Sequence, residues 1–319
     1  MNRTLLTCIL IVTSFTPACS SVTNTQKNSP AANVAESQTA KNESRRRELE
    51  AEFAKIAVEA KGRVGVAARV LETGEEAGLG AGERYPMQSV YKLPIAMAVL
   101  RQVDAGKLKF DQKVKVQPSD FVRIGQASPL RDKNPKGAEV SVAELLRYAV
   151  SESDGTASDV LMNLVGGAQG VAAFLKEINV SDINVVNSEK EIGRDWQTQY
   201  ENWATPAAAV ELLSALNERR GLSAESQSLL LKLMIESKPG PDRLRGQLPA
   251  GTVVAHKTGT GGVRDGVNSA TNDIGIITLP NGQHAAVAVF LSDVKADEAT
   301  RAAVIARIAK AVWDKWGGG

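Results

Sequence analysis

The chain has 319 residues, of which 43% are apolar and 23% charged, and these proportions are ordinary for a protein with one or two buried cores. They exclude a disordered chain, a collagen-like polymer and a membrane protein with many spans. Lys and Arg total 38 against 36 for Asp and Glu, and this net charge of +2 argues against nucleic acid as a partner. With only two histidines and two cysteines, we expect no metal site and no cofactor.

Residues 1–19 have the pattern of a bacterial export signal. Arg3 gives a short positive segment, and the apolar run from Leu5 to Phe15 is too short for a permanent membrane helix. Two cleavage modes remain open: ordinary cleavage near Ala18, or lipoprotein processing that leaves a lipid anchor on Cys19. Both predict an exported, periplasmic protein whose folded domain has no disulfide, because both cysteines lie in this segment.

The rest of the chain divides into a tether and one folded domain. Residues 20–42 contain almost no large apolar side chain, and we predict a flexible tether there. The domain is expected over residues 43–319, with an α/β part formed by residues 43–88 and 246–319. Residues 89–245 have mostly helical periodicity and are predicted to form an inserted helical subdomain.

Strand patterns occur only at the two ends of this domain. A first helix, with Leu49, Phe53 and Ile56 on one stripe, precedes a predicted hairpin whose first strand covers residues 63–71. Toward the other end the chain has three β-rich runs and a final helix, at residues 252–260, 273–279, 285–291 and 297–316. Because the connections are short, the strands should pair antiparallel. The sequence predicts an α+β fold: a five-stranded antiparallel sheet built from both chain ends, with flanking helices and an inserted all-helical subdomain.

Ser89 and Lys92 stand at the predicted start of a helix. A spacing of three places both on one helical face, where the lysine amine can approach the serine hydroxyl and help to deprotonate it. The free N–H groups of the helix start can stabilise an oxyanion. Ser-x-x-Lys is common by chance, and a second copy runs from Ser292 to Lys295 after a predicted strand. We interpret that copy as a chance match.

Two further motifs follow in the chain. Ser153-Asp154-Gly155 lies in a polar break between two helices, where Ser and Asp are also ordinary helix caps. Lys257-Thr258-Gly259-Thr260 ends a predicted strand; its lysine and threonines suit a carboxylate, and its glycine would let a substrate backbone approach closely. From 89 to 153 the separation is 64 residues, and from 153 to 257 it is 104. Each motif is weak alone, and the ordered trio favours one active site.

The trio resembles that of the penicillin-recognising serine enzymes, specifically class A β-lactamases, over residues 45–316. The resemblance implies that a β-lactam carbonyl acylates Ser89, that Lys92 shuttles protons and that Ser153 passes a proton to the departing ring nitrogen. The oxyanion would lie between the backbone N–H groups of Ser89 and Thr260. The residues that the resemblance assigns to substrate binding are Lys257, Thr258, Gly259 and Thr260.

A β-lactamase also needs a carboxylate that activates water to hydrolyse the acyl-enzyme. We interpret residues 187–206 as a surface Ω-type loop, and its candidate is Glu189. Glu189 lies 36 residues after Ser153 and 68 before Lys257, a spacing similar to that of the deacylating glutamate in the family. Glu191, two positions later, is the alternative.

The loop departs from the commonest class A pattern. Asn187, Gly193 and Asn202 stand where the family usually has Arg, Asn and Asp, so the Arg–Asp clamp of the loop is missing and the loop conformation stays open. The loop sequence looks like that of the extended-spectrum cephalosporinase branch, which favours cephalosporins as substrates. Gly155 replaces the usual Asn of the second motif, and we expect altered substrate affinity with the chemistry retained.

Four more residues receive structural interpretations. Neighbours along a strand alternate in direction, so His256 should face away from Lys257 and pack in the core. Tyr91 is interpreted as a packing residue, and Trp196 and Trp203 as anchors of the loop.

The preferred function is hydrolysis of penicillins and cephalosporins by an exported monomer, which would confer antibiotic resistance. The alternative is a D-alanyl-D-alanine carboxypeptidase or transpeptidase, which shares the trio but deacylates β-lactams slowly. A third hypothesis is a β-lactam sensor or cell-wall-binding domain that is acylated once and stays blocked. Glu189 argues against the peptidase. The sensor is disfavoured because it would need a membrane-spanning link, and we expect no second apolar stretch long enough for one.

Overall fold

The computed structural model of the protein describes residues 30–318, with side chains described from Thr39 onward. The predicted export signal, with Cys19, lies outside the described residues. The chain divides at Lys41 into an N-terminal segment and a main unit that begins at Asn42. The first helix begins at Pro30, so residues 30–42, for which we predicted a flexible tether, are helical. This stretch contains four alanines, and Ala favours helix without requiring a buried apolar face.

The helices of the described chain alternate with short turns and strands. They are α1 (Pro30–Ala57), α2 (Lys92–Asp104), α3 (Pro129–Lys133), α4 (Val142–Ser151), α5 (Gly155–Leu164), α6 (Gly167–Glu177), α7 (Glu189–Ile192), α8 (Pro206–Asn217), α9 (Ala224–Ile235) and α10 (Glu298–Gly317). The 3-10 turns cover Val58–Ala60, Gln88–Tyr91, Pro118–Asp120 and Thr198–Tyr200. The strands are β1 (Arg63–Val70), β2 (Glu76–Leu79), β3 (Tyr85–Pro86), β4 (Lys113–Val116), β5 (Ala138–Ser141), β6 (Ile183–Asn184), β7 (Trp203–Ala204), β8 (Val254–Thr260), β9 (Val263–Arg264), β10 (Val267–Thr278) and β11 (His284–Val294).

The main sheet joins the two ends of the chain. Its strand order is β2-β1-β11-β10-β8, and each neighbouring pair is antiparallel. The central pairing is in continuous register, with Ala288 of β11 opposite both Ala67 of β1 and Ile274 of β10. This confirms the predicted α+β fold with five antiparallel strands, to which the two-residue strand β9 adds a sixth beside β10.

Two differences from the predicted elements have a common cause. Strand β10 begins six residues before the predicted start at residue 273, because polar residues such as Asn268 and Thr271 are buried there and continue the ladder. The inserted subdomain is not all helical, since β4 pairs with β5, and β7 pairs with β3 and β6. Apolar periodicity does not report buried polar residues or strands of two to four residues.

Two apolar cores lie on opposite faces of the main sheet. One is covered by α1 and α10, and the predicted stripe of Leu49, Phe53 and Ile56 is at most 1% exposed there. The other lies under the inserted subdomain and surrounds α2, in which every residue from Lys92 to Leu100 is buried. A helix packed on all sides is held rigidly by close contacts, and the nucleophile motif stands at its start.

Among the described residues, no single helix is long and apolar enough to cross a membrane. Helices α5 and α6, which are bent by 73° relative to each other, pass that test only as a pair, on length and composition.

Candidate active site

Ser89 lies in the 3-10 turn that leads directly into α2, and Lys92 is the first residue of that helix. Gln88, immediately before the serine, has a φ of 48°. This value lies in the left-handed region of backbone conformation, which residues other than glycine seldom adopt. Such strained residues concentrate at functional sites, where the surrounding structure holds them.

The nucleophile turn is fixed against the sheet by β8 and β10. The Asn272 amide donates hydrogen bonds to the carbonyl oxygens of Pro86 (2.8 Å) and Met87 (3.1 Å). A Cβ atom at Gly259 would lie 2.3 Å from the Met87 carbonyl oxygen. The glycine of the third motif therefore allows β8 to pack against the nucleophile turn, which corrects the expectation that it makes room for a substrate backbone.

The three motifs converge on Ser153. Lys92 Nζ donates to the Ser153 carbonyl oxygen (2.7 Å), and Lys257 Nζ donates to Ser153 Oγ (2.9 Å). Ser153 has a φ of 56°, a left-handed conformation that costs about 1–3 kcal/mol and turns its hydroxyl toward Lys257. The next residue, Asp154, is fully buried and caps α5 by accepting from the Ala157 N–H (2.8 Å). In the second motif, Asp154 thus caps a helix, and Ser153 presents a hydroxyl that Lys257 holds in place.

Lys257 is completely buried in β8. Burial, reinforced by the positive charge of Lys92, holds the pKa of Lys257 well below its usual range. The charge of Lys92 in the first motif thus acts directly on the lysine of the third motif.

The Glu189 carboxylate faces the nucleophile motif. Its Oε2 atom accepts from the Tyr91 hydroxyl (2.7 Å) and lies 3.1 Å from Lys92 Nζ. Burial raises the pKa of Glu189, but the Lys92 charge and the Tyr91 hydrogen bond outweigh it, so the net pKa is lowered. Burial and the negative charge of Glu189 raise the pKa of Tyr91 well above 10, which keeps its hydroxyl a donor. Glu189 is therefore ionised at neutral pH and able to accept a proton.

The alternative carboxylate, Glu191, is used in a helix cap. The Ser188 hydroxyl accepts from the Glu191 N–H (3.3 Å), and Glu191 Oε2 accepts from the Ser188 N–H (2.9 Å). This capping box begins α7 and aims Glu191 back at its own turn. The structure brings Glu189, and not Glu191, to Lys92.

A buried carboxylate of α5 positions the start of α7. Asp159 Oδ1 accepts from the Glu189 N–H (2.6 Å), and Asp159 Oδ2 accepts from the Lys190 N–H (3.0 Å). Burial raises the pKa of Asp159 to about 6, although these two N–H groups act in the opposite direction.

The neck of the predicted Ω-type loop is closed by Asn202. This side chain is completely buried, and its Oδ1 accepts from the N–H groups of Val186 and Asn187, both at 2.9 Å. Its amide donates to the Asn187 carbonyl oxygen (2.8 Å). Three hydrogen bonds from one asparagine thus hold the neck where the family usually has an Arg–Asp clamp.

Residues of all three motifs and of the loop line one cleft of about 600 Å³, a size that suits a small-molecule ligand. Its lining residues include Ser89, Lys92, Ser153, Glu189, Thr258 and Thr260. Lys257, which is completely buried, is not among them. A groove of about 750 Å³ between α1 and α10 contains no residue of the three motifs.

The model of the β-lactamase enzyme family matches residues 48–316. The chain belongs to this family. It is 43% identical over 232 residues to β-lactamase VEB-1 of Pseudomonas aeruginosa, covering 72% of this chain and 77% of that protein. It is 40% identical over 265 residues to the extended-spectrum β-lactamase PER-1 of the same organism, covering 83% of this chain and 86% of the relative.

Solved structures agree with this membership. A β-lactamase from Chitinophaga pinensis superposes with a TM-score of 0.82 at 43% identity, covering 84% of this chain and 98% of that one. The extended-spectrum β-lactamase TLA-1 gives a TM-score of 0.82 at 41% identity, covering 85% and 99%. The resemblance to class A serine β-lactamases is therefore confirmed, and the protein is a hydrolase of that family.

In this β-lactamase the structure also locates the residues outside the three motifs that the sequence analysis interpreted. His256 does not line the cleft; it is buried, with Nδ1 2.8 Å from Asp273 Oδ2, as a core residue would be. In the second Ser-x-x-Lys copy, residues Ser292 to Val294 lie in strand β11. Ser292 and Lys295 therefore do not stand on one face of a helix. Trp196 lines the cleft, and the Arg84 guanidinium lies 3.9 Å above the Trp203 ring. Tyr91 is more than a packing residue, because its hydroxyl holds Glu189.

Sequence reasoning missed Asp159 and Arg243. The buried Arg243 guanidinium donates to the carbonyl oxygens of Gly259 (3.1 Å) and Asn272 (3.0 Å) and to Thr260 Oγ1 (2.7 Å), which fixes the end of β8 in the cleft. Both residues act on distant parts of the chain and lie outside any motif. The one available signal was for Asp159, a charged residue followed directly by three apolar ones, whereas Arg243 has charged neighbours at Asp242 and Arg245.

Proposed function

We propose that this β-lactamase hydrolyses penicillins and cephalosporins through an acyl-enzyme on Ser89, and thereby confers resistance to them. In the first step Ser89 Oγ bonds to the lactam carbonyl carbon, and the ring C–N bond breaks. The hydroxyl proton passes through Lys92 and Ser153 to the ring nitrogen. Two contacts support the participation of these residues: the Ser153 carbonyl oxygen holds Lys92 beside Ser153, and Lys257 holds the Ser153 hydroxyl.

The substrate is held by the third motif during this step. Lys257 contributes a buried positive charge for the substrate carboxylate, and Thr258 and Thr260 line the cleft beside it. The N–H groups of Ser89 and Thr260 would receive the developing oxyanion.

In the second step Glu189 acts as the general base. A water oxygen attacks the ester carbonyl carbon and gives its proton to the Glu189 carboxylate; the bond to Ser89 Oγ then breaks, and the proton returns to that oxygen. One observation carries this proposal: a cleft carboxylate with a lowered pKa, held by Tyr91 at 2.7 Å and Lys92 at 3.1 Å. A carboxypeptidase that deacylates β-lactams slowly has no need of this arrangement.

The decisive experiment gives the purified domain a chromogenic cephalosporin. Wild type is expected to turn over many times, Ser89→Ala to be inactive, and Glu189→Gln to accumulate a covalent adduct on Ser89 that mass spectrometry detects. A single burst from the wild type would instead favour the peptidase or the sensor.

Cephalosporins are proposed as the preferred substrates. The loop sequence supports this preference, and the relatives PER-1 and TLA-1 carry the description extended-spectrum. The ratio of kcat/KM for a cephalosporin to that for a penicillin measures it, and a ratio below one contradicts it.

Export to the periplasm is also proposed, on the pattern of residues 1–19. We also propose that the protein functions as a monomer. The mass of protein extracted from membranes distinguishes a lipid-modified Cys19 from ordinary cleavage near Ala18, and light scattering measures the oligomeric state.

A further inference from the structure

The Gln126 side chain reaches the cleft from a loop that is distant from α7 in the chain. This loop, residues 121–128, leads into α3, and we call it the rim loop. Arg131 of α3 fixes it, because its Nη1 atom donates to three carbonyl oxygens there, those of Val122 (3.0 Å), Arg123 (2.8 Å) and Gln126 (3.2 Å). The Gln126 side chain therefore starts from a fixed backbone, and it lines the cleft together with Glu189.

The Gln126 amide binds the backbone of the residue proposed as the general base. Its Nε2 atom donates to the Glu189 carbonyl oxygen, which also accepts from the Gly193 N–H (3.1 Å) at the end of α7. On the other side of the same residue, the Glu189 N–H donates to Asp159 (2.6 Å). Helix α7 has only four residues, so contacts from outside the helix decide where it lies. Gln126 supplies such a contact from the rim loop, as Asp159 does from α5.

The same amide occupies the space beside Gly193. A Cβ atom at residue 193 would lie 2.6 Å from Gln126 Oε1 and 2.7 Å from both Cδ and Nε2 of Gln126. Gly193 has a φ of −71° and a ψ of −9°, so its backbone does not require glycine. The family usually has Asn at this position, and a side chain there would exclude the Gln126 amide from its present place. In this chain, glycine at residue 193 leaves room for glutamine at residue 126.

The two polar atoms of the Gln126 amide have different surroundings. Its Oε1 atom is buried and accepts no hydrogen bond from any described residue. A buried oxygen without a partner lowers the stability of a fold, so this atom does not explain why the amide lies here. Its Nε2 atom binds Glu189, and this contact favours a role in catalysis over a role in stability.

We infer that Gln126 is a positioning residue for the general base: it joins the rim loop to the Glu189 backbone through a space that Gly193 leaves open. The inference rests on the proposed function, in which Glu189 activates the water that hydrolyses the acyl-enzyme. Formation of the acyl-enzyme does not use Glu189 as a base. Loss of the Gln126 contact therefore slows hydrolysis of the acyl-enzyme and leaves its formation nearly unchanged.

The test measures both steps in Gln126→Ala and in Gly193→Ala with the chromogenic cephalosporin. Stopped flow gives the rate of acylation, and the decay of the covalent adduct on Ser89, followed by mass spectrometry, gives the rate of deacylation. In both variants we expect deacylation to slow about tenfold, from the lost hydrogen bond and the looser placement of the base, and acylation to stay within about twofold of wild type. In the steady state kcat then falls and kcat/KM stays, whereas a general loosening of the fold would lower both.

Matched controls make the same two changes elsewhere. Gly82→Ala adds a Cβ atom that meets nothing within 4 Å, and Gln247→Ala removes an exposed glutamine of the groove between α1 and α10. Both should deacylate as wild type does.

Gln126→Met separates catalysis from stability. It keeps the volume of the side chain but removes the donor and the unpartnered oxygen together. Its Tm should be close to that of wild type, while deacylation slows as in Gln126→Ala. Deacylation at the wild-type rate by Gln126→Met would overturn the inference.

A double-mutant cycle tests whether the two residues act through one contact. Gly193→Ala displaces the Gln126 amide, so it should add nothing once that amide is gone, and the pair Gln126→Ala and Gly193→Ala should deacylate about as slowly as either alone. If the two losses multiply, or if either single variant deacylates like wild type, the inference is wrong. Failure of the proposed function looks different, because the wild type itself would not turn over or Glu189→Gln would not accumulate the adduct.

Discussion

The Nζ atom of Lys257 lies 2.9 Å from Ser153 Oγ, although the two residues are 104 positions apart in the chain. Lys257 also donates to the Thr258 carbonyl oxygen (3.0 Å), so its ammonium is directed by two acceptors. The contact joins a strand of the sheet to the start of α5 in the inserted subdomain. The cleft is therefore assembled at the junction of the two parts of the domain, and its chemistry depends on their relative placement.

The first prediction concerns Lys257→Ala. The substitution removes the hydrogen bond to Ser153 and the buried charge proposed to hold the substrate carboxylate. A hydrogen bond to a charged group contributes about 1.5–3 kcal/mol, so kcat/KM should fall about 10- to 100-fold, with a rise in KM. Steady-state kinetics with a penicillin and a cephalosporin measure the effect. An unchanged KM for both would remove Lys257 from substrate binding.

The second prediction follows from Asp159, whose pKa burial raises from 3.8 to about 6. Between these values the unfolded chain releases a proton that the folded protein retains. The stability that this group contributes is thus fully present below pH 3.8 and is lost as pH rises through 6. The loss amounts to about 3 kcal/mol, at 1.36 kcal/mol for each pH unit of the shift from 3.8 to about 6.

Asp159→Asn removes this dependence. The difference in free energy of unfolding, wild type minus Asp159→Asn, should fall by about 3 kcal/mol between pH 3.8 and pH 7 in urea titrations. Asp265→Asn, the same substitution at a side chain that is 93% exposed, is the control. A difference for Asp159→Asn that does not change with pH would contradict the raised pKa of Asp159.

The third prediction concerns the asparagine clamp at the loop neck. Asn202→Ala removes the completely buried acceptor of the Val186 and Asn187 N–H groups, which are themselves only partly buried. A buried group left without a partner costs about 1–3 kcal/mol, and partial burial places each of these in the lower part of that range, so the free energy of unfolding should fall by about 2–4 kcal/mol. Because the neck carries α7, kcat should fall too.

Asn202→Asp tests the geometry of the same clamp. The aspartate can still accept from the N–H groups of Val186 and Asn187. Its second carboxylate oxygen, however, faces the Asn187 carbonyl oxygen, which in the wild type accepts a hydrogen bond from the Asn202 amide. We expect a lower Tm for Asn202→Asp and a partial recovery when Asn187→Arg supplies the cation that the usual family clamp has. A Tm equal to that of wild type for Asn202→Asp alone would show that the amide donor is unimportant.

How far the sequence predicts this protein depends on the range of each interaction. Apolar patterns located the four long strands of the main sheet, because the sheet buries side chains with a period of two, and the four-residue β2 followed only from the predicted hairpin. The same signal missed the first half of β10, where Asn272 is buried and binds the nucleophile turn. The order and spacing of the motifs identified Ser89 and Glu189 as candidates. No local pattern predicts that Asp159 binds the backbone of α7 or that Arg243 binds Thr260.

The last prediction concerns Tyr91→Phe. The Tyr91 hydroxyl donates to Glu189 at 2.7 Å and is one of the causes that lower the pKa of that carboxyl, so its removal raises the pKa of Glu189. A base with a higher pKa is protonated sooner as pH falls. The acid limb of the kcat–pH profile should therefore move to higher pH. Glu189 stays ionised at neutral pH, so kcat there should fall only through looser positioning of the carboxylate, about three- to tenfold, as for loss of one hydrogen bond of about 1 kcal/mol. Tyr200→Phe is the matched control, because the Tyr200 hydroxyl donates at 2.6 Å to a different carboxylate, that of Asp293. An acid limb that stays in place for Tyr91→Phe, or that moves equally for Tyr200→Phe, would show that Tyr91 does not set the protonation of the general base.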